Sequence, residues 1–322
     1  MIIDFEERNL NKFKIILSYI CNKLCNNNFK KYLSLDVQID NQLPGRIFKV
    51  NKDQEKVKIN ISKKIFKNFI LLNIIHYQLE SYLEIIVKTK KIINALFYIG
   101  DKKNLNTLKN KSVIIGCSND PCDLLVPDPL YIMNKAYLKQ LAQVDNTLSF
   151  IKSNLSFFAG NMFGTERINI LNYQKKNLDI VKAVLLKKKL NSNIKSAYSN
   201  VSTEFFSDTK ITFEEMYSFL IQIDIDGNSN SWPGFYHKLY SGRPLLKIRS
   251  SLGYRQWYYD RLKPDYHYFD VKSDLSNFRE KYYQALEEYQ TTKVFPGREF
   301  ISKMNYDEEL QIAADKISFY FK

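Results

Sequence analysis

From Asn9 to Tyr32 the apolar positions Phe13, Ile16, Leu17, Ile20 and Leu24 recur at helical spacing with lysines on the other face, which predicts an amphipathic helix. Leu33 to Asp40 alternates instead, and Arg46 to Val50 and Lys56 to Ile61 read as strands around the turn-like Asn51-Lys52-Asp53. Helical spacing returns over Ser62 to Lys88, with Ile65, Ile70, Ile74, Leu79, Tyr82 and Ile86 as core positions. Three short apolar runs follow, Ala95 to Ile99, Ser112 to Ile115 and Asp123 to Val126, each leading into a polar or glycine-bearing loop. Such runs, alternating with helices, predict a parallel sheet covered on both faces, with ligands beyond the carboxyl ends of its strands.

A helix over Tyr137 to Lys152 then leads to a second α/β unit. Leu155 to Ala159 reads as a strand, Gly160 opens a loop, and a helix begins by Arg167. This order points backbone N–H groups and a helix dipole at a phosphate, although a tight turn without a ligand has the same pattern. Further strands are expected at Leu220 to Ile225, Pro244 to Ile248 and His267 to Val271, with short helices at Phe235 to Tyr240 and Gln256 to Leu262. The tail is helical over Leu275 to Tyr289 and Asp307 to Phe321. The expected division is an N-terminal domain over 1–150, a second over 151–290, and a helical tail over 291–322 that packs back on the first.

Composition narrows the class. A chain of 322 residues is long for one core, and 45% hydrophobic with 14% aromatic residues is enough to fold. The formal net charge of +14 suits a polyanion such as nucleic acid. Lysine, however, greatly outnumbers arginine and is spread through Asn- and Ile-rich segments, as in a solvated surface. Arg243, Arg249, Arg255, Arg261, Arg279 and Arg298 instead crowd the last third, which predicts a local anionic site. The start, Met1 to Arg8, has no signal-peptide pattern and no apolar run is long enough for a membrane span, so a cytoplasmic protein is expected. Its basic surface could hold it at an anionic inner leaflet. Cys21 with Cys25, and Cys117 with Cys122, lack zinc-site spacing, and His76, His237 and His267 are scattered, so buried or free thiols are expected.

The chemistry concentrates in Ile223 to Trp232. Asp224 and Asp226 lie two apart on a strand and share a face, where they either hold a divalent cation or cap the loop that follows. Asn228, Ser229, Asn230 and Ser231 supply donors and acceptors that suit ribose, phosphate or sugar hydroxyls. An aromatic and arginine cluster, Gly253 to Pro264, follows.

The ordered series Asp226-Gly227-Asn228-Ser229-Asn230-Ser231-Trp232, Lys238-Leu239-Tyr240-Ser241-Gly242, Leu245-Leu246-Lys247, Arg255-Gln256-Trp257-Tyr258-Tyr259, Leu262-Lys263-Pro264 and Val271 to Ser276 resembles glycosyltransferase family 90. That family includes bacterial lipopolysaccharide glycosyltransferases, fungal capsule-associated xylosyltransferases and protein O-glucosyltransferases. The resemblance is strongest over Phe157 to Phe278 and weaker over Tyr98 to Tyr131. It implies an α/β fold of the GT-B type, two facing Rossmann-like domains with C-terminal helices. It also implies an inverting transferase that moves a hexose from a nucleotide sugar, UDP-linked, to a saccharide acceptor such as lipopolysaccharide core.

By position in the motifs, Asp101 is the implied general base. Gly160, Arg167, Gly227, Asn228, Ser229, Asn230, Ser231, Lys247, Tyr254, Arg255 and Gln256 are the implied donor-binding residues, Arg167 foremost for the diphosphate. The competing role for Arg167 is an ion pair with Glu166 or Asp179. Trp257, Tyr258 and Tyr259 suit a core better than a sugar platform. The implied partners are a nucleotide-sugar donor and a glycolipid or saccharide acceptor. No cofactor is called for, and a divalent ion on Asp224 and Asp226 stays open.

Two departures limit the transfer. Trp232-Pro233-Gly234-Phe235 stands where the eukaryotic protein O-glucosyltransferases carry an arginine, so part of a phosphate clamp must come from elsewhere. The first 90 residues match poorly, which leaves the acceptor open. The alternatives are a protein O-glycosyltransferase and, in another class, a basic nucleic-acid-binding protein.

Overall fold

The computed structural model describes residues 34–40, 42, 47–53, 56–62, 73–89, 93–99, 112–133, 136–148, 150–162, 166–186, 198, 201–227 and 229–321. They form two units, Met1–Asn134 with Asn305–Lys322, and Lys135–Met304. The helix expected over Asn9 to Tyr32 lies outside the described residues.

In the first unit, β1 (Ser34–Asp40), β2 (Ile47–Asp53), β3 (Lys56–Ser62), β4 (Ile93–Tyr98), β5 (Ile114–Ile115) and β7 (Leu124–Leu125) form a six-stranded sheet in the order β1-β3-β2-β4-β5-β7; β6 is the short strand Cys117–Ser118. The sheet is not wholly parallel as the apolar runs suggested. Strand β2 is antiparallel to β3 and to β4, and only β1–β3 and β4–β5–β7 pair in parallel. The connection from Asp53 to Lys56 admits only a hairpin, because a parallel pairing would need a crossover of a dozen residues. Phe48 and Phe97, cross-strand partners on β2 and β4, stack at 5.0 Å.

Helix α1 (Asn73–Lys88) is the described part of the helix expected from Ser62. Its last turn is tied down by buried Lys52, whose Nζ donates to Ile86 O and Thr89 Oγ1, both at 3.1 Å. The C-terminal helix, Tyr306–Tyr320, packs on α1, and Tyr306 Oη lies 3.0 Å from Glu84 Oε1 and 2.9 Å from Ile132 O. Short α2 (Pro129–Met133) completes the unit.

The second unit carries a wholly parallel sheet. Strands β8 (Ser153–Asn161), β9 (Val181–Leu186), β10 (Phe206–Ser207), β11 (Phe219–Ile225), β12 (Leu245–Ile248) and β14 (Phe269–Val271) lie in the order β10-β9-β8-β11-β12-β14. Numbered by occurrence in this unit, that is 3-2-1-4-5-6, the Rossmann order, whose direction of winding reverses between β8 and β11. The helices are α3 (Ala136–Asp145), α4 (Glu166–Gln174), α5 (Phe213–Tyr217), α6 (Pro233–Tyr240), α7 (Phe278–Thr291) and α8 (Pro296–Ser302). A core of Ile170, Leu171, Val181, Ile221, Ile223, Leu246 and Phe278 joins the sheet to α4 and α7.

Helix α3 belongs here because Tyr137 meets Tyr236 and Trp257 edge-on at 5.0 and 5.9 Å, so the units divide before it rather than at 150/151. The expected tail also divides, with α8 in the second unit and Tyr306–Tyr320 in the first. The helix expected over Gln256 to Leu262 is instead β13 (Arg255–Gln256) and a 3₁₀ turn, Tyr259–Arg261. Trp257, Tyr258 and Tyr259 are held by edge-to-face packing, and Pro264 favours extended backbone before it. Among the described residues no helix is long and apolar enough to cross a membrane.

Candidate functional site

Strand β11 is buried along its whole length, yet Gln222, Asp224 and Asp226 alternate on one side of it. Polar residues in such a strand are costly unless paired. Asp224 lies opposite Lys247 in the β11–β12 register, so the two side chains emerge on the same face. Lys247 Nζ lies 2.6 Å from Asp224 Oδ2 and 2.6 Å from Asp226 Oδ1, while Lys238, reaching in from α6, lies 3.0 Å from Asp224 Oδ1. Ser231 Oγ donates to Asp224 Oδ2 at 2.9 Å and so ties the following loop to the strand.

Burial opposes the ionisation of Asp224, but Lys247 and then Lys238 hold its carboxyl well below the usual range. Among the described residues Asp226 pairs with Lys247 alone; burial, with the charge of Asp224 beside it, pushes it up to about 6 against that pull. Lys247, although buried, is held ionised well above the usual lysine range by the two carboxylates. The aspartates therefore serve neither solely as loop caps nor as an open pair for a cation. Among the described residues no group of three or more His, Cys, Asp or Glu side chains gathers as metal ligands do.

Arg167 occupies the point where the sheet reverses its winding. Its side chain folds back from the first turn of α4, and Nη1 donates to Asn161 O at 2.6 Å, at the end of β8, while Nη2 donates to Ile225 O at 3.1 Å, at the end of β11. The guanidinium lies 5.4 Å from the Phe158 ring centroid, and Lys238 Nζ lies 5.7 Å from the same ring. Arg167 is buried, and its Nε has no acceptor among the described residues. Burial lowers its pKa while Asp224 acts to raise it, and a guanidinium keeps its charge regardless. Neither competing ion pair forms: Glu166 accepts from Ser251 N at 2.6 Å, and Asp179 pairs with Arg279 at 3.1 Å. Gly160 is the residue that lets Arg167 lie there, since a Cβ would stand 3.1 Å from its Nη1 and 2.8 Å from Phe158 Cζ.

Other residues with implied donor roles turn inward. Asn230 Oδ1 accepts from Trp232 N at 2.7 Å and from Gln256 Nε2 at 2.8 Å, and Gly227 N donates to Asn230 O at 3.4 Å. These bonds hold the turn in which Trp232 adopts a left-handed φ of 51°. Ser229 is buried, and Asn228 and Asp101 lie outside the described residues.

Tyr254, Arg255 and Lys247 share a cleft of about 450 Å³ with Asp226, Arg249 and Tyr259, among others. Its cations are matched within it: Arg249 Nε lies 2.8 Å from Asp270 Oδ1, and Arg255 Nη1 lies 2.9 Å from Asp260 Oδ1. Trp257 and Tyr258 are buried, whereas Tyr259 lines the cleft.

The arginines of the last third do not converge on one site as their crowding suggested: Arg249, Arg255, Arg279 and Arg298 each pair with a separate aspartate. Sequence reasoning gave no site role to Lys238, although a lysine between Phe235 and Leu239 on a short apolar helix signals a buried charge in need of a partner. Cys117 is buried and Cys122 exposed.

No protein-family model and no curated protein matches the chain. Among solved structures it is similar to the UDP-GlcNAc 2-epimerase of Neisseria meningitidis bound to UDP-GlcNAc, with 16% identity, 61% of this chain and 53% of that chain covered, and a TM-score of 0.29. The match thus spans about half the length of that structure.

Proposed function

We propose that the protein is an inverting glycosyltransferase that moves a hexose from a UDP-sugar to a saccharide acceptor such as the core of a lipopolysaccharide. The observation that carries the donor half is Arg167, a buried guanidinium with an unused N–H at the point where a Rossmann-ordered sheet reverses, beside the N-terminus of α4. A diphosphate would supply the anion that no carboxylate supplies there among the described residues. The neighbouring cleft, with Tyr254, Tyr259 and Phe235 in its walls, has the size and aromatic character for the nucleoside or sugar.

The transfer half rests on the ordered motifs shared with glycosyltransferase family 90. In this reading Asp101 takes the proton of the acceptor hydroxyl. The oxygen attacks the anomeric carbon, and the bond to the diphosphate oxygen breaks with its electron pair leaving on the diphosphate, where positive groups stabilise it. A location at the cytoplasmic side of a membrane belongs to the same proposal.

Calorimetric titration with UDP separates the two halves. Arg167→Gln should weaken UDP at least about tenfold, as expected for a lost charge-assisted bidentate contact. Asp101→Asn should leave UDP affinity intact and slow transfer by about 10² or more. UDP affinity unchanged in Arg167→Gln would refute the donor assignment, and wild-type transfer by Asp101→Asn would remove Asp101 as the base. Salt-sensitive, sequence-independent DNA binding that UDP does not affect would favour the nucleic-acid reading instead.

A further inference from the structure

The opposite, N-terminal ends of the strands in the second unit's sheet border another cleft, of about 560 Å³, lined by residues that precede β8 and β12 and by the segment joining α7 to α8. Its floor is Arg243, 6% exposed. Arg243 Nη2 donates to Leu148 O at 2.9 Å and to Tyr217 O at 3.3 Å; no carboxylate pairs with it among the described residues, and its remaining N–H groups have no acceptor there. Burial disfavours such a cation, and only the weak influence of Tyr289 and Tyr217 opposes it.

The cleft's one carboxylate is already engaged. Asp145 Oδ1 lies 2.7 Å from Arg298 Nη2, and Oδ2 accepts from Tyr240 Oη at 2.7 Å. Lys293, exposed, has its Nζ 4.6 Å from the Tyr289 ring centroid and no acidic partner among the described residues. With Asp145 balanced by Arg298, Arg243 and Lys293 leave two uncompensated positive charges in one concavity, walled by Leu148, Ile151 and Val294.

The turn that presents Arg243 is fixed. Gly242 has φ +65°, its carbonyl accepts from Phe295 N at 3.0 Å, and a Cβ there would meet Val294 Cγ1 at 2.9 Å.

We propose that this cleft is a second anion site that takes a phosphoryl group carrying an apolar or aromatic arm, distinct from the site at Arg167. Arg243 offers fixed donors to the phosphoryl oxygens, Lys293 adds a mobile charge, and the apolar wall receives the arm. The source is either a free phosphorylated metabolite or the headgroup of an anionic lipid.

The test uses the full chain and two probes, inorganic pyrophosphate by calorimetry and phosphatidylcholine vesicles with and without phosphatidic acid by co-sedimentation. Lys293→Glu, an exposed change that should leave thermal stability as in the wild type, should weaken whichever probe binds by about tenfold or more. Arg243→Lys keeps a cation but loses the fork, and should weaken it likewise. Arg167→Gln should leave the component of binding that Lys293→Glu removes unchanged, which separates it from the donor site. Pyrophosphate binding that Lys293→Glu abolishes identifies a soluble ligand, and vesicle binding so abolished identifies a headgroup; either supports the site. The proposal fails if neither probe binds, if both arginine and lysine variants bind as the wild type does, or if Arg167→Gln alone removes binding.

Discussion

The two ends of the strands in the second unit's parallel sheet each bury an arginine whose described acceptors are backbone carbonyls, Arg167 at the C-terminal ends and Arg243 at the N-terminal ends. Their surroundings differ in how the neighbouring charges are held. Around Arg167, Asp224, Asp226, Lys238 and Lys247 are all buried and locked to one another, so the field at that end is set before any ligand arrives. Around Arg243, the flanking charges Lys293, Arg298 and Asp145 are partly or largely exposed, so ions and side-chain motion can screen them. The first arrangement suits a preorganised site that stabilises charge during a reaction, and the second a site that captures a charged group from solution.

The strongest way to break this contrast is to remove Lys247, because it is the cation shared by both buried aspartates. Lys247→Ala leaves Asp226 with no cation and Asp224 with Lys238 alone. Loss of one partner from a buried ion pair costs about 3–5 kcal/mol, so urea denaturation should show a loss of that order. A loss below about 1 kcal/mol would mean that the cluster is hydrated and not locked.

Acid should sharpen the contrast, with opposite signs at the two ends of the strands. Near the Arg243 end, His237 is buried, with Nδ1 2.6 Å from Tyr217 Oη, and burial followed by the charge of Lys238 pushes its pKa down to about 3. The unfolded chain binds this proton near pH 6.5 and the folded chain does not. Its contribution is therefore complete above pH 6.5 and is lost as pH falls, amounting to about 2 kcal/mol by pH 5. Asp226 behaves in the opposite sense, because its raised folded value of about 6 makes protonation relieve a buried charge as pH falls through that value. In urea denaturation followed against pH, His237→Gln should remove most of the destabilisation below pH 6.5, and Asp226→Asn should steepen it. Profiles parallel to the wild type in both variants would contradict these assignments.

The same contrast explains what was legible in the sequence. Strands β8, β11 and β12 were, because Leu155 to Ala159, Leu220 to Ile225 and Pro244 to Ile248 are apolar runs with clear ends. Strand β9 was not, since Lys182 interrupts Val181 to Leu186 and a lysine run follows, so a half-buried strand reads as polar surface. Arg167 and Lys247 were implied as donor-binding residues by the family resemblance, whereas Asp224 and Asp226 read as either a cation pair or loop caps. Which charges pair depends on β11–β12 register and on the approach of α6, and neither is written locally. Asn230, Ser231 and Gln256 looked like ligand contacts because small polar residues suit both ligands and tight turns, and here they build the turn. Arg243 stood only as one of six crowded arginines, since its meaning comes from the absence, among the described residues, of a carboxylate paired with it in space.

A smaller effect should separate positioning from charge at the Arg167 end. Gly160→Ala adds one methyl group 3.1 Å from Arg167 Nη1 and 2.8 Å from Phe158 Cζ, so the guanidinium must shift while every charge stays. Overpacking of this kind costs about 1–3 kcal/mol, and the displaced fork should weaken UDP by roughly tenfold in calorimetry. UDP affinity equal to the wild type would mean that Arg167 acts by its charge alone, without the fixed geometry.

The smallest effect belongs to Arg298→Ala. Its pair with Asp145 is 29% and 43% exposed at the two side chains, so solvent screens it, and pairs of this kind contribute about 0.2–1 kcal/mol. Loss of Arg298 also frees Asp145 beside Arg243, which converts an electropositive cleft into a more nearly neutral one. The variant should therefore unfold within about 1 kcal/mol of the wild type. It should nevertheless lose most of the pyrophosphate or phosphatidic acid binding, although Arg243 and Lys293 are intact. A large loss of stability with anion binding retained would reverse the assignment, making Arg298 a structural tie and leaving the charge balance of the cleft without consequence.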